Sequence, residues 1–401
     1  MLNKIEYKMK KKKLKIGFLI TYFYPFTGGA ESNCINLALE LVKRGHEVHI
    51  FTTDRKDGKI LENLEEEYHG IKIHRYKTWF RYKYYFAFYP SIINILRYNL
   101  DILHVHTFGI PQQDLVILLE KLKATKLVCT PHGPFMALND ANYSKYALAL
   151  KKIYMPLIKF INKKFDKIVM VNPYQYNWMK DFGVRKEQVV FVPNGMTKST
   201  FNKISREKIN KISKKYKLDG KFVISYVGRI QKYKGIDQII RIMPDLLKIK
   251  KNLVFVAIGE DAGDLSRLQD ITKKLKVENI IFTGKIPQDE REELLALLDI
   301  SKIFIFSSEW EAFGIGLIEA MARENAVVST DTEGSKFLVS KENGLLYKFD
   351  DLNELKKCMK ILLTNNKLRE KMQKENLKKA RAFLWEKIVL ELEAVYFDIL
   401  K

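Results

Sequence analysis

Cysteine is scarce in this chain. Cys34, Cys129 and Cys358 are the only three in 401 residues, too few and too scattered for a disulfide framework or a zinc site. Such usage predicts a reducing compartment, so the cytoplasm is the expected location. No run of about 18 uncharged apolar residues occurs, and no membrane-spanning helix is expected. Lysines at 10–13 precede an apolar stretch, 16–26, in the manner of a secretory signal. No small-residue cleavage site follows, and the stretch runs into Gly28-Gly29, so it reads as a buried first strand. Acidic residues are also in short supply, 47 against 70 basic ones, for a net charge of +23. Most of these lysines read as solvated surface; the functional alternative is an anionic partner such as lipid headgroups, a phosphorylated acceptor or nucleic acid. The lysines are spread along the chain, with no RNP, zinc-finger or helix-turn-helix signature, so nucleic acid is not the expected partner.

What is present is apolar material for real cores, 47% of the residues, arranged in two series of short runs. The first comprises 15–21, 47–52, 101–106, 126–130, 167–171 and 188–192. The second comprises 222–227, 253–258, 279–283, 302–306, 326–329 and 344–347. Most are continuous rather than alternating, which is how strands covered by helices on both faces read. Helical periodicity lies between them at 31–44, 236–249, 290–298 and 316–323. Strand alternating with helix, twice over, predicts α/β architecture: two Rossmann-like parallel-sheet domains. The predicted limits are a basic tail at 1–13, a first Rossmann-like domain at 14–195, a second at 196–375 and a C-terminal helix at 376–401 that is free to cross back to the first domain.

Ligands of open parallel sheets sit at the carboxyl ends of strands, so the residues just after each run carry the chemistry. Gly28-Gly29-Ala30-Glu31 opens a helix after the first run and offers free N–H groups to an anion. Gly228-Arg229 and Lys234-Gly235 follow the seventh; two cations at a strand end suit a diphosphate, though solvated loop cations read the same way. Residues 307–322 read S-S-E-W-E-A-F-G-I-G-L-I-E-A-M-A. Glu319 stands there in an apolar helix start and needs a partner if it faces inward. The amides of Phe313, Gly314, Ile315 and Gly316 lie near that helix N-terminus.

The last segment is similar to the E-x7-E motif of the retaining GT-B glycosyltransferases of family GT4, usually E-G-F-G-x-x-x-x-E-A-M-A, with Ala312 in place of a glycine. Other segments fall in the family's order: Gly28-Gly29, Pro131-His132-Gly133, Pro193-Asn194-Gly195, Gly228-Arg229, Lys234-Gly235, Phe282-Thr283-Gly284 and Glu342-Asn343-Gly344. The resemblance implies two domains facing a cleft and a transfer that retains anomeric configuration, with no metal and no cofactor. It implies that Arg229 and Lys234 hold the donor diphosphate beside Gly228, and that Glu319 binds the ribose hydroxyls. Glu311 and the amides of Phe313 to Gly316 would take the transferred sugar. His132 would stand beside the reacting sugar, and the Gly28-Gly29 loop would close over the phosphates. The catalytic set is then His132, Glu311, Arg229 and Lys234. No D-x-D motif follows a strand, and no separate protein nucleophile suggests itself. The chain departs from the pattern at 330–336, where bulkier, charged residues replace a glycine-rich loop.

Donor nucleotide, UDP or GDP, and sugar, hexose or N-acetylhexosamine, stay open, as does the choice of a glycan or lipid-linked acceptor. Two stretches bear on the acceptor: the aromatic and basic 79–89, and 146–165, where Leu148, Leu150, Ile153, Tyr154, Leu157, Ile158 and Ile161 alternate with lysines. Basic amphipathic helices suit anionic membrane surfaces, so peripheral attachment to the inner face of a membrane is one expectation, and an ordinary core-facing helix is the other. His46 and His49 are expected to be structural, as are His104 and His106, two residues apart on one strand. The rival functions are a basic nucleic-acid-binding protein and another GT-B activity such as a nucleotide-sugar epimerase.

Overall fold

The computed structural model describes residues 12–26, 28–56, 59–82, 86–107, 109–133 and 145–401; positions 1–11 of the basic tail lie outside them. The chain divides into two compact units, Met1–Asn194 with Trp385–Lys401, and Gly195–Leu384.

The first unit is built on β1 (Lys15–Leu19), β2 (Glu47–Thr53), β3 (Glu65–Tyr68), β4 (Ile71–Tyr76), β5 (Ile102–Val105), β6 (Lys126–Cys129), β7 (Lys167–Met170) and β8 (Val189–Phe191). They form one sheet in the order β8-β7-β6-β5-β1-β2-β4-β3. All neighbours are parallel except β3, which pairs antiparallel at the edge. The continuous apolar runs are explained by burial on both faces. Ile16 and Phe18 of β1 pack with Leu37 and Leu41 of α1 (Gly29–Lys43). On the other face Leu19, Leu103 and Val105 meet Val116 and Ile117 of α2 (Pro111–Leu122) and Ile161 of α3 (Lys145–Asn162).

The C-terminal helix Trp385–Ile399 completes the first of these cores with Trp385, Ile388, Val389, Leu392 and Tyr396. Burying each such side chain is worth roughly 1.5–3 kcal/mol, so this helix is part of the domain. Glu393 fixes it by accepting from Arg44 Nε at 3.0 Å and from His46 Nε2 at 2.7 Å. Burial would raise the Glu393 carboxyl, but those bonds hold it below the usual carboxylate range.

The second unit has one parallel sheet of β9 (Phe222–Val227), β10 (Leu253–Ile258), β11 (Ile280–Gly284), β12 (Ser301–Phe306), β13 (Ala326–Thr330) and β14 (Gly344–Tyr347), ordered β11-β10-β9-β12-β13-β14. Around it lie α4 (Ile236–Ile249), α5 (Arg291–Ile300), α6 (Ile315–Ala322), α7 (Glu333–Leu338) and α8 (Asn366–Ala380). The expected boundary at 375/376 is corrected here. The helix that begins at Asn366 stays in the second unit, because the buried Asn376 amide donates to the carbonyls of Asn325 (2.7 Å) and Asn343 (2.8 Å). The chain leaves this unit only after Leu384.

Candidate functional site

The sequence places its candidate residues after strands, and the second unit brings several of them into contact at the carboxyl edge of its sheet. Past β9 the chain runs through Gly228 and Arg229 to a 3-10 turn, Lys232–Lys234. Gly235 ends that turn with φ +60, and a Cβ there would come within 2.3 Å of the Ser307 carbonyl. Only glycine permits both the angle and the approach. The turn is thereby clamped to the loop after β12. Ser307 Oγ donates to the Lys234 carbonyl at 2.8 Å, and the Glu309 amide donates to the Tyr233 carbonyl at 2.8 Å.

Lys234 Nζ then donates to Glu311 Oε2 at 2.7 Å. The ammonium also lies 4.7 Å from the Tyr233 ring centre and 5.6 Å from that of Phe306, a cation–π setting. Burial opposes its charge, but the Glu311 carboxylate and the phenols of Tyr226 and Tyr233 outweigh burial and raise its pKa above the usual lysine value. Lys234 is therefore a fixed cation. Arg229 Nη2 reaches the Tyr233 hydroxyl at 3.4 Å.

α6 opens after Gly314, and Gly316 lies so close to the end of β9 that an added Cβ would meet the Val227 carbonyl at 2.9 Å. The helix N-terminus, with its free N–H groups, is thus held beside the Gly228 strand end. The Phe313 side chain is buried against Phe337 and Phe383, which leaves the backbone to serve a ligand. The 330–336 segment keeps the close approach that a glycine-rich loop would give. Gly334 N donates to the Glu311 carbonyl at 3.0 Å, and a Cβ on it would lie 2.7 Å from the Phe313 backbone.

Glu319 is buried, and its partner is Arg291 at the start of α5, with Nη2 2.5 Å from Oε1. The same Nη2 reaches Thr200 Oγ1 at 3.2 Å, while Arg291 Nε is buried without a partner among the described residues.

In the first unit Gly28 caps α1, its carbonyl accepting from Ser32 N at 2.8 Å, and an added Cβ on Gly29 would meet nothing within 4 Å. The Asn33 amide of α1 donates to the Asn194 side chain at 2.6 Å, tying the helix to the Pro193-Asn194-Gly195 junction. His132 follows β6 with φ +53, and its Nε2 lies 2.8 Å from His106 Nδ1. Burial drops the pKa of His132, and that of His104, to about 3, so both rings are neutral. Sequence reasoning passed over Arg291 and Tyr233 and gave His106 only a structural role. No local sequence pattern marks the contact of Arg291 with Glu319, 28 residues further on.

The family model described as Glycosyltransferase Family 4 matches residues 27–199, and that described as Glycosyl transferases group 1 matches 208–379. Sucrose-phosphate synthase from Thermosynechococcus elongatus has the same fold, with TM-score 0.78 and 18% identity over 96% of this chain and 99% of its own. The Anabaena HepE structure in complex with UDP and glucose superposes with TM-score 0.75 and 17% identity over 96% and 100%. Among sequence relatives, an uncharacterized glycosyltransferase of Methanocaldococcus jannaschii is 27% identical over 96% of this chain and 98% of its own. The N-acetyl-alpha-D-glucosaminyl L-malate synthase of Bacillus anthracis is 25% identical over 97% and 98%. The phosphatidylinositol N-acetylglucosaminyltransferase GPI3 subunit of Saccharomyces cerevisiae is 25% identical over 80% and 68%. Two parallel-sheet domains and these matches define a glycosyltransferase of the GT-B architecture. Within that class the chain belongs to the GT4 family, glycosyl transferases group 1. The epimerase and nucleic-acid readings fall away with that assignment.

Proposed function

We propose that the chain moves an N-acetylhexosamine or hexose from a UDP- or GDP-sugar to a glycan or lipid-linked acceptor, with retention and without a metal. The observation that carries this reading is the cluster of Lys234, Glu311 and the α6 N-terminus beside the Gly228 strand end. As the C1–O bond to the diphosphate breaks, negative charge grows on the departing phosphate. A fixed ammonium at Lys234, the guanidinium of Arg229 and oriented amides stabilise that charge without reorganising. The acceptor oxygen forms its bond to C1 on the same face, and its proton passes to the leaving diphosphate. Glu319 would take the ribose hydroxyls with Oε2 while Arg291 holds Oε1. The roles given to Gly28, Gly29 and His132 rest on the family resemblance.

One relative is named an N-acetyl-alpha-D-glucosaminyl L-malate synthase, another an N-acetylglucosaminyltransferase subunit, and a structural neighbour is in complex with UDP, which favours a UDP-N-acetylhexosamine donor. A lipid surface is favoured by α3, where Ile153, Leu157 and Phe160 are exposed among exposed Lys152, Lys159 and Lys163. Trp79, Phe80 and Phe88 are exposed on a hairpin of the same unit. Other parts of these two stretches, residues 83–85 and the side chains of 81–87 and 145–151, lie outside what the structure describes. No helix among the described residues is long and apolar enough to cross a membrane.

The test is thermal stabilisation by UDP-, GDP- and ADP-sugars beside the Lys234→Ala and Glu319→Ala variants. Stabilisation by one nucleotide family, lost in both variants, supports the donor site. No shift with any nucleotide sugar, together with tight RNA or DNA binding, would overturn it. Transfer that persists in EDTA supports the metal-independent reading.

A further inference from the structure

The end of β5 and the residue after it place His104 and His106 on the same face, two residues apart, and the chain leaving β6 presents Thr130 and His132 with the same spacing. The two pairs join as rungs: His104 Nε2 lies 2.7 Å from Thr130 Oγ1, and His106 Nδ1 lies 2.8 Å from His132 Nε2. The rings stack, His104 on His106 at 4.8 Å and His106 on His132 at 5.0 Å. From the C-terminal helix, the Tyr396 hydroxyl meets His104 Nδ1 at 2.6 Å. Among the buried atoms of this ladder, His106 Nε2 has no partner among the described residues, and the residue is 2% exposed.

That orphan selects a tautomer. If His132 Nε2 carried the hydrogen and donated to His106, the hydrogen of His106 would sit on Nε2, as a buried N–H without an acceptor. Orphaned buried donors are the rarer case, since the group forfeits its water bond and gains nothing. With the hydrogen on His106 Nδ1, only a lone pair is left at Nε2. His132 then accepts at Nε2 and carries its own hydrogen on Nδ1, because a histidine's tautomer follows the bond made by its other nitrogen.

We infer that His106 is a positioning residue that fixes the ring orientation and the Nδ1–H tautomer of His132, so that His132 offers a donor to the transferred sugar. The inference rests on the proposed place of His132 beside that sugar.

The test uses the full-length chain labelled with 15N-histidine. Long-range 1H–15N spectra are recorded for the wild type and for His106→Leu, His106→Asn and His106→Gln, with the His132 signals assigned from a His132→Gln sample. The expected wild-type spectrum has the His132 hydrogen on Nδ1. An asparagine amide sits where Nδ1 sits, so His106→Asn should keep that spectrum. His106→Gln, which reaches the Nε2 position, and His106→Leu should admit the Nε2–H form. Turnover of UDP-N-acetylglucosamine should fall about tenfold in kcat in the leucine variant with KM little changed, and recover in the asparagine variant. A wild-type His132 with its hydrogen on Nε2, or one unchanged in His106→Leu and His106→Gln, would overturn the inference. Full turnover by His132→Ala would instead sink the role proposed for His132, while the tautomer assignment stood.

Discussion

Lys234 donates to Glu311 over 2.7 Å at the carboxyl edge of the second sheet, so the residues assigned to the phosphates and to the sugar are each other's counterion. With side chains 11% and 18% exposed, the pair lies between the surface and buried regimes. Lys234→Ala and Glu311→Ala should each cost about 1–3 kcal/mol in urea unfolding, and the double variant less than their sum. Additive losses would mean that the two charges do not depend on each other.

Arg291 and Glu319 form the second pair, and they divide its work unequally. Glu319→Ala removes the carboxylate that would accept the ribose hydroxyls, and should weaken UDP binding by at least about tenfold in calorimetry. Arg291→Ala leaves the carboxylate in place but loose, and should weaken UDP by about three- to tenfold. Equal affinity in Glu319→Ala and wild type would remove Glu319 from the donor site.

Much of this was legible in the sequence for definite reasons. Strands buried on both faces read as continuous apolar runs, and the parallel frame followed from them. Loop residues after those runs, from Gly228 to Glu319, stood out because a strand end is where a ligand meets backbone. The strands Glu65–Tyr68 and Ile71–Tyr76 lie outside both series of runs, because Glu-Glu-Glu-Tyr and Ile-Lys-Ile-His-Arg-Tyr carry charge where the other strands are continuously apolar. The helical pattern over 368–401 shows a break near Phe383, but nothing local marks that break as the domain limit, which the sequence reading sets at 375/376. The partners escaped for a third reason. Lys234 and Glu311 are 77 residues apart, Arg291 and Glu319 are 28 apart, and His106 and His132 are 26 apart. Each pair meets only once its sheet is assembled.

The face of α3 that carries Ile153, Leu157 and Phe160, 76%, 43% and 50% exposed, predicts membrane binding. Insertion of each side chain contributes roughly 1.5–3 kcal/mol, and the flanking lysines add attraction to anionic headgroups. The chain should sediment with phosphatidylglycerol vesicles at low salt and release at high salt. The triple serine variant should lose that binding by at least about a hundredfold while melting as the wild type does. Failure of the wild type to bind at low salt would end the membrane proposal.

Asp114 supplies a pH prediction of definite sign. Its carboxyl is buried on α2, and burial lifts it to about 6, against the lowering effect of bonds from the Tyr154 hydroxyl and the Gly109 amide. The folded chain thus holds this proton more tightly than the unfolded chain, whose carboxyl titrates near 3.8. Stability from this group is fully present below that value and is lost as pH rises through about 6, by roughly 3 kcal/mol in all. Asp114→Asn keeps a carbonyl to accept from Tyr154 and carries no charge to desolvate. The variant should be more stable than wild type at pH 8 by about 1–3 kcal/mol and no more stable at pH 4, read from paired denaturation curves. Comparison at a common pH cancels the buried histidines, whose depressed pKa values destabilise both chains alike as the solution is acidified. A gain of equal size at both pH values would show that the substitution acts through packing, with no ionised carboxylate held at a cost in the folded domain.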